Sequence, residues 1–208
     1  YNAGATLGDT LRSARAQTYR ALEIVVVDDG SKDDTLRIAR RQAAEDSRIR
    51  IVQQDHRGHS AARNRGIAES RGELIAPLDA DDLWRPTKIE RQVEALQAGG
   101  DRVGLVYTWF ASVDEQGRIR SVGHRPTDCG DVLRSCCRGN LVGNGSGALM
   151  RKSAILECGG YDETLQGCED LKLYTAIAER YHYAVVREHL TGYRQSNPDR
   201  AKAALAAL

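Results

Sequence analysis

Two short apolar runs near the start of this chain each end in a group of carboxylates. Glu23-Ile24-Val25-Val26-Val27 leads into Asp28-Asp29-Gly30-Ser31, and Glu73-Leu74-Ile75-Ala76-Pro77-Leu78 leads into Asp79-Ala80-Asp81-Asp82. The first run is β-branched, the mark of a buried strand. The second, Leu74 to Leu78, is apolar on both faces, as in a parallel sheet covered on both sides. Helical patterns lie around them. Leu7, Leu11 and Ala14 recur at helical spacing and predict a helix over 7–17. Ser31 with Asp34 has the form of a capping box and predicts a helix to about Glu45. Ile49 to Val52 reads as another strand, and Gly58-His59-Ser60 turns the chain into a helix from Ala61 to Ser70. Strand and helix alternate three times in about eighty residues, the βαβ arrangement of a parallel sheet. Tyr1-Asn2 to Thr6 reads as the exit of an element that lies before the first residue.

The later chain is less regular. Ile89, Val93 and Leu96 form the apolar stripe of a helix that carries Pro86 in its first turn and ends at Gly99-Gly100. Val103 to Phe110 is strand-like, and Asp114-Glu115-Gln116-Gly117 is a hairpin turn. Residues 118–145 are mixed, with a short helix around Asp131 to Cys136. Ser146 to Met150 predicts a strand, and Ser153 caps a short helix to Cys158. After the loop Gly159-Gly160-Tyr161-Asp162, Gly167-Cys168-Glu169-Asp170 opens a helix with the apolar face Leu171, Tyr174, Ile177 and Ala178. Tyr183 to Val186 is a last short strand, and Ala201 to Leu208 a helix fragment.

Carboxylates repel one another and lose hydration when brought together, and a cation between them removes that cost. Asp79 and Asp81 point the same way if extended, just past a strand end, where open α/β sheets bind their ligands. Oxygen-only donors favour Mg²⁺ or Mn²⁺ over zinc. The simpler reading of an isolated DxD is an acidic turn with Asp82 as N-cap before Pro86. A second acidic strand end, at Asp29, points instead to a nucleotide site, one carboxylate taking ribose or base donors. Neither a GxGxxG nor a P-loop is present.

With 30 basic and 29 acidic side chains the net charge is +1, so no general basic field points to nucleic acid. The 208 residues suit one large domain or two small ones, at roughly 100–200 residues each. No apolar run reaches the roughly 18 residues of a membrane span. Five cysteines without CxxC spacing read as reduced thiols of a cytosol, not a disulfide framework or zinc site. His56 and His59 read as solvated loop histidines, Trp84 as packing on the helix after Pro86, and Trp109 as core.

Taken in order, VVVDDGSKDDT, GHSAARNRGIAESRGELIAPLDADDLW with RPTKIERQ, and GGYDETLQGCEDLKLYTAIAER resemble the family 2 glycosyltransferases, from Tyr1 to about Arg194. The resemblance implies a GT-A fold: an α/β chain with a Rossmann-like βαβ half and a mainly parallel sheet, followed by a mixed acceptor-side region. It implies a donor-binding half over 1–110 and an acceptor-side half over 111–208 of one domain. It implies transfer of a sugar from a nucleotide-diphospho-sugar, UDP-sugar foremost, with inversion. Asp28 and Asp29 would meet the base or its ribose, with Tyr1 and Asn2 where the nucleobase packs. Arg63 and Asn64 would border the donor pocket. Asp81 would ligate Mn²⁺ or Mg²⁺, with Asp79 close to the ribose and Asp82 assisting. Asp170 would be the general base, with Glu169 beside it as the other candidate. Its place near a helix N-terminus would keep Asp170 ionised. The acceptor would be a glycan or a lipid-linked glycan, in the cytoplasm or at the inner face of a membrane with peripheral association.

The chain departs from the family in two ways. The family's first strand does not precede Tyr1, which implies an incomplete nucleotide pocket. The QxxRW motif and membrane spans of processive members are absent, and Tyr193-Arg194 stands where many non-processive members have a similar pair. Transfer of a single sugar is the implication. Two other readings remain: a sugar nucleotidyltransferase, which wants a Gly-rich basic phosphate loop where Gly4 to Gly8 has no Lys or Arg, and a non-catalytic sugar- or nucleotide-binding module.

Overall fold

A computed structural model describes residues 1–194; the Ala201 to Leu208 stretch lies outside the described residues. The first half follows the expected alternation: α1 (Leu7–Arg15), β1 (Ile24–Asp28), α2 (Thr35–Glu45), β2 (Ile49–Gln53), α3 (His59–Glu69) and β3 (Leu74–Ile75). Then come β4 (Leu83–Trp84), α4 (Lys88–Ala98), β5 (Val103–Val113), β6 (Ile119–Val122), α5 (Leu133–Cys136), β7 (Ala148–Arg151), α6 (Lys152–Glu157), α7 (Glu169–Ala178) and β8 (His182–Arg194).

The strands form two sheets. β1 and β2 pair in parallel, as the βαβ pattern requires. The other six run β3-β7-β5-β8-β4, with β6 on β5. This larger sheet is mixed, not mainly parallel: β5 with β8 is parallel, and the remaining pairs are antiparallel. Apart from the β5–β6 hairpin, the antiparallel pairs join strands that are not consecutive, as in β3 with β7 and β4 with β8, and the parallel β5–β8 pair is reached through α5, α6 and α7. Among the described residues β1 pairs with β2 alone, and its apolar residues Ile24 to Val27 are only half-buried.

Several local expectations are corrected. The Ser31 capping box does not form: Asp34 is the N-cap, its carboxylate takes the Arg37 guanidinium rather than a backbone N–H, and Ser31 Oγ accepts the Asn2 N–H. Pro86 precedes the N-cap Thr87 and so lies outside α4. Ser153 lies inside α6, whose N-cap is Arg151. Leu74 to Leu78 is strand for two residues only, half-buried, because the chain leaves the sheet to form the acidic turn. β8 runs for 13 residues, where the sequence signals Tyr183 to Val186. Arg187 and Glu188 are exposed and break the apolar pattern, yet the strand stays paired to β5 as far as Val113–Arg194. In α7 Leu173, not Leu171, joins Tyr174, Ile177 and Ala178 in the core.

Alternation along β5 divides the core between the two faces of the mixed sheet. Leu105 and Tyr107 face a cluster with Met150, Tyr174, Ile177 and Tyr183. Val106 faces the α4 stripe, Ile89, Val93 and Leu96. Trp84 packs on α4 as expected, its ring 4.3 Å from Lys88 Nζ. Lys88 itself is wholly buried, and its ammonium donates to Gln92 Oε1 at 2.7 Å. Burial pulls its pKa well down. The Gln92 amide also donates to Val106 O at 2.8 Å and Gly147 O at 3.0 Å, tying α4 to the sheet. Gln92→Leu strands this amine and is expected to cost about 2–4 kcal/mol by urea unfolding. Adding Lys88→Met should recover part of the loss; a double variant as unstable as the single one would show that the buried amine is not what the loss reports.

Candidate active site

The acidic strand ends gather on one side of the fold. Asp28 and Asp29 close β1 and are 3% and 2% exposed. The Asp29 carboxylate organises the loop after β2: it accepts the N–H groups of Arg57 and Gly58 at 2.9 Å each and the Gln54 amide at 2.7 Å. His56 Nδ1 lies 2.8 Å from its other edge. Burial alone would raise the Asp29 pKa, but these donors outweigh it and hold the carboxyl below its ordinary value. The Tyr1 ring sits on the His56 ring, centroids 4.1 Å apart. Asn2 is fixed by the loop after β1, its side-chain oxygen accepting the Lys32 N–H at 2.9 Å. Tyr1, Asn2, Asp28 and Asp29 are therefore brought to one place. His56 joins them: it is exposed in its loop, as the solvated-loop reading expects, and its ring also faces Asp29. Its signal was the Asp29–His56 pair, invisible until the two loops meet.

The second strand end is a tight turn, closed by Asp82 N–H to Asp79 O at 3.1 Å. Thr6 and Thr10 hydroxyls of the α1 region donate to Ala80 O, and Ser146 Oγ accepts the Asp79 N–H. Asp79 and Asp81 are half-buried, whereas Asp82 is fully buried. Asp82 faces inward: its Oδ1 accepts the Arg194 N–H at 2.9 Å, pinning the end of β8 to the turn. Burial, aided by the Asp79 and Asp81 charges, raises its pKa to about 7.

Arg63 of α3 joins this turn to α7. One guanidinium nitrogen donates to Asp79 Oδ1 and another to Glu169 Oε1, each at 2.6 Å, and the group lies 5.2 Å from the Tyr161 ring centroid. His59, exposed as expected but at the start of α3 rather than in a loop, reaches the same Glu169 oxygen with Nε2 at 3.1 Å. Glu169 is thus engaged from two sides, and Arg63 with its own N–H outweighs burial to keep its pKa low. Asp170 differs. Burial raises its pKa and the Glu169 and Asp79 charges raise it further, while the Leu171 N–H and Arg63 act in the opposite direction. The helix N-terminus does not hold this carboxyl down as the sequence led us to expect, because desolvation is the larger effect. Asn64 serves the scaffold: its amide donates to Tyr161 O at 2.8 Å and its oxygen accepts the Tyr161 N–H at 2.9 Å, fixing the Gly159–Asp162 loop against α3.

Among the described residues no three His, Cys, Asp or Glu side chains form a metal cage. A small hard cation does not need one, since it takes one or two carboxylates and completes its shell with water and substrate phosphate. Asp79 and Asp81 on one turn are an oxygen donor set of that kind.

Fold and site together define a Rossmann-like α/β protein with a carboxylate-lined site beyond its strand ends. The sequence pattern of Glycosyl transferase family 2 matches residues 1–159, and the chain belongs to that family. It is 32% identical over 184 residues, 85% of its length, to an uncharacterised glycosyltransferase of Rickettsia conorii, of which it covers 30%. It spans 30%, 33% and 26% of the length of three such curated relatives. Its fold matches S. aureus TarS 1-349 in complex with UDP-GlcNAc at a TM-score of 0.77 and 17% identity, covering 95% of this chain and 57% of that one. It matches the mannosyltransferase PcManGT from Pyrobaculum calidifontis, in complex with GDP-Man and Mn²⁺, at a TM-score of 0.72 and 20% identity, covering 99% and 57%. The fold is the GT-A fold. Among the described residues no helix is long and apolar enough to cross a membrane.

The buried Asp82 gives a pH signature. An acid whose folded pKa lies above its unfolded value contributes stability at low pH and loses it as pH rises through the folded pKa. Asp82→Asn keeps the shape and cannot ionise, so its advantage over the parent should grow by roughly 2 kcal/mol between pH 5 and pH 8 in urea titrations. A gap that stays constant with pH would place the proton elsewhere.

Proposed function

We propose that this chain transfers one sugar from a nucleotide-diphospho-sugar to an acceptor hydroxyl with inversion. The observation that carries the reading is the Arg63 bridge, which sets the Asp79–Asp81 turn against the Glu169–Asp170 helix start. Direct inversion needs a leaving-group site and a base on opposite sides of one carbon, and the nearness of these two carboxylate groups supports that reading. On the donor side, Tyr1, Asn2, Asp28 and Asp29 receive the base and ribose. Asp81, with Asp79 beside it, would hold Mn²⁺ or Mg²⁺, and Asp82 supports the turn from below. A divalent cation bound there would offset the charge that builds on the leaving diphosphate.

Asp170 takes the proton of the acceptor hydroxyl. It is preferred to Glu169 because Glu169 is committed to Arg63 and His59. A carboxyl raised by burial is also the better base, since proton transfer is favoured as its pKa approaches the working pH. UDP is the proposed nucleotide, supported by the UDP-GlcNAc complex of TarS, a protein of the same fold. The acceptor is proposed to be a glycan, free or lipid-linked.

Thermal shifts with UDP, GDP, dTDP and CDP, each with and without Mn²⁺, test the donor side. UDP should stabilise the protein only with metal, and Asp81→Ala should abolish the effect. Asp170→Asn should lower kcat by about 10²–10⁴ with nucleotide affinity kept. An Asp170→Asn variant turning over at the parent's rate would sink the assignment of the base. The kcat–pH profile should lose activity on the acid side with a midpoint above the ordinary aspartate pKa of about 3.9, because the raised Asp170 must be ionised to act.

A further inference from the structure

Tyr193, at the end of β8, is half-buried, and its ring meets the Phe110 ring edge-on, centroids 5.9 Å apart at 82°. The two rings come from neighbouring parallel strands, where Phe110 pairs with Thr191 and Ser112 with Tyr193. Burial raises the Tyr193 phenol, and the charges of Asp82, Asp79, Asp81 and Asp170 raise it further. Those carboxylates come from both halves of the site, the acidic turn and the start of α7. Arg194, the next residue, donates its N–H to Asp82 Oδ1 at 2.9 Å, which sets Tyr193 beside the acidic turn. In the proposed reaction the space beside that turn holds the transferred sugar.

Phe110 is given room by two glycines. A Cβ on Gly143 would lie 2.5 Å from Phe110 Cε1, and a Cβ on Gly123 would lie 2.7 Å from Cζ. Gly143 also has φ +81°, which disfavours other residues. Two residues on, a Cβ on Gly145 would lie 2.7 Å from Arg63 Nη2 and 2.9 Å from Asp79 Oδ2. One short loop therefore runs from the Phe110 ring to the Arg63–Asp79 pair. The aromatic corner and the Arg63–Asp79 pair thus lie against the same loop.

We infer that Tyr193 contacts the transferred sugar, packing its ring on the sugar's apolar face and bonding a sugar oxygen with its hydroxyl, while Phe110 is the positioning residue behind it. The inference rests on the glycosyltransferase reading. Among carboxylates the phenol stays protonated and so remains a donor for a sugar oxygen. An aromatic face with a polar tip suits a ring that is apolar on one side and hydroxylated at its edge. The surrounding carboxylates repel an anionic sugar, so the group carried is a neutral hexose or N-acetylhexosamine.

Calorimetry on the full-length protein with Mn²⁺ tests this, using UDP, UDP-N-acetylglucosamine, GDP and GDP-mannose as probes. The nucleotide-sugar that binds the parent should bind Tyr193→Phe about five- to tenfold more weakly, while its sugar-free diphosphate binds both equally. Phe110→Ala should show the same split, with its fold checked by circular dichroism. Equal affinity of parent and Tyr193→Phe for the nucleotide-sugar overturns the inference. Equal loss for the diphosphate and the nucleotide-sugar also overturns it, because the residue would then serve the phosphates. A parent that binds none of the four probes overturns the glycosyltransferase reading and this inference with it; one that binds diphosphate normally leaves the two separable.

Discussion

One guanidinium holds this site together. Arg63 reaches Asp79 on one side and Glu169 on the other, from a helix that belongs to neither. Its side chain is 17% exposed, so both contacts are largely removed from water. Burial works against its charge, yet the adjoining Asp79 leads the effects that raise its pKa above the ordinary arginine value. A planar fork suits this task because it makes two directed bonds at once; a lysine would supply a point charge without the geometry. The carboxylates that face each other here would repel without it.

That bridge sorts the acids into roles. Asp79 and Glu169 each give one carboxylate oxygen to Arg63, which leaves the other Asp79 oxygen available to a cation. Asp170, one residue on, has its own backbone neighbour Leu171 and an environment that raises its pKa. Asp82, one residue past the DxD pair, is turned inward and holds the end of β8. Neighbouring carboxylates of the same type thus meet different surroundings, and the surroundings set their chemistry. The supports lie behind them: Asn64 fixes the Gly159–Asp162 loop, and the α1 threonines and Ser146 fix the acidic turn.

The first half of the fold was legible because its elements are local. α1, α2, α3, β1 and β2 follow from apolar spacing and turn residues within about a dozen positions each. β8 was not, because the strand after Val186 carries Arg187, Glu188 and His189 and is held by its pairing to β5. The mixed sheet was missed for the same reason: strand direction depends on which strands meet, and those pairs are distant in sequence. Asp29, Asp79, Asp81 and Asp170 were legible as motif residues at acidic strand ends and a helix start, and Arg63 as part of the ARN stretch inside α3. His56 and His59 carried no such local sign, and Tyr193 stood out only as half of the Tyr193-Arg194 pair.

The sequence by itself determined the α/β class, the acidic turns and the family, since each is written in short ordered motifs whose chemistry is intrinsic to the residues. Only the tertiary structure decided that Arg63 joins Asp79 to Glu169, that Asp82 faces inward, and that Tyr193 lies beside the carboxylates. Those outcomes depend on contacts between residues up to 112 positions apart, as in Arg194 to Asp82. They depend also on the water excluded around them, and no local pattern encodes the dielectric a side chain will meet.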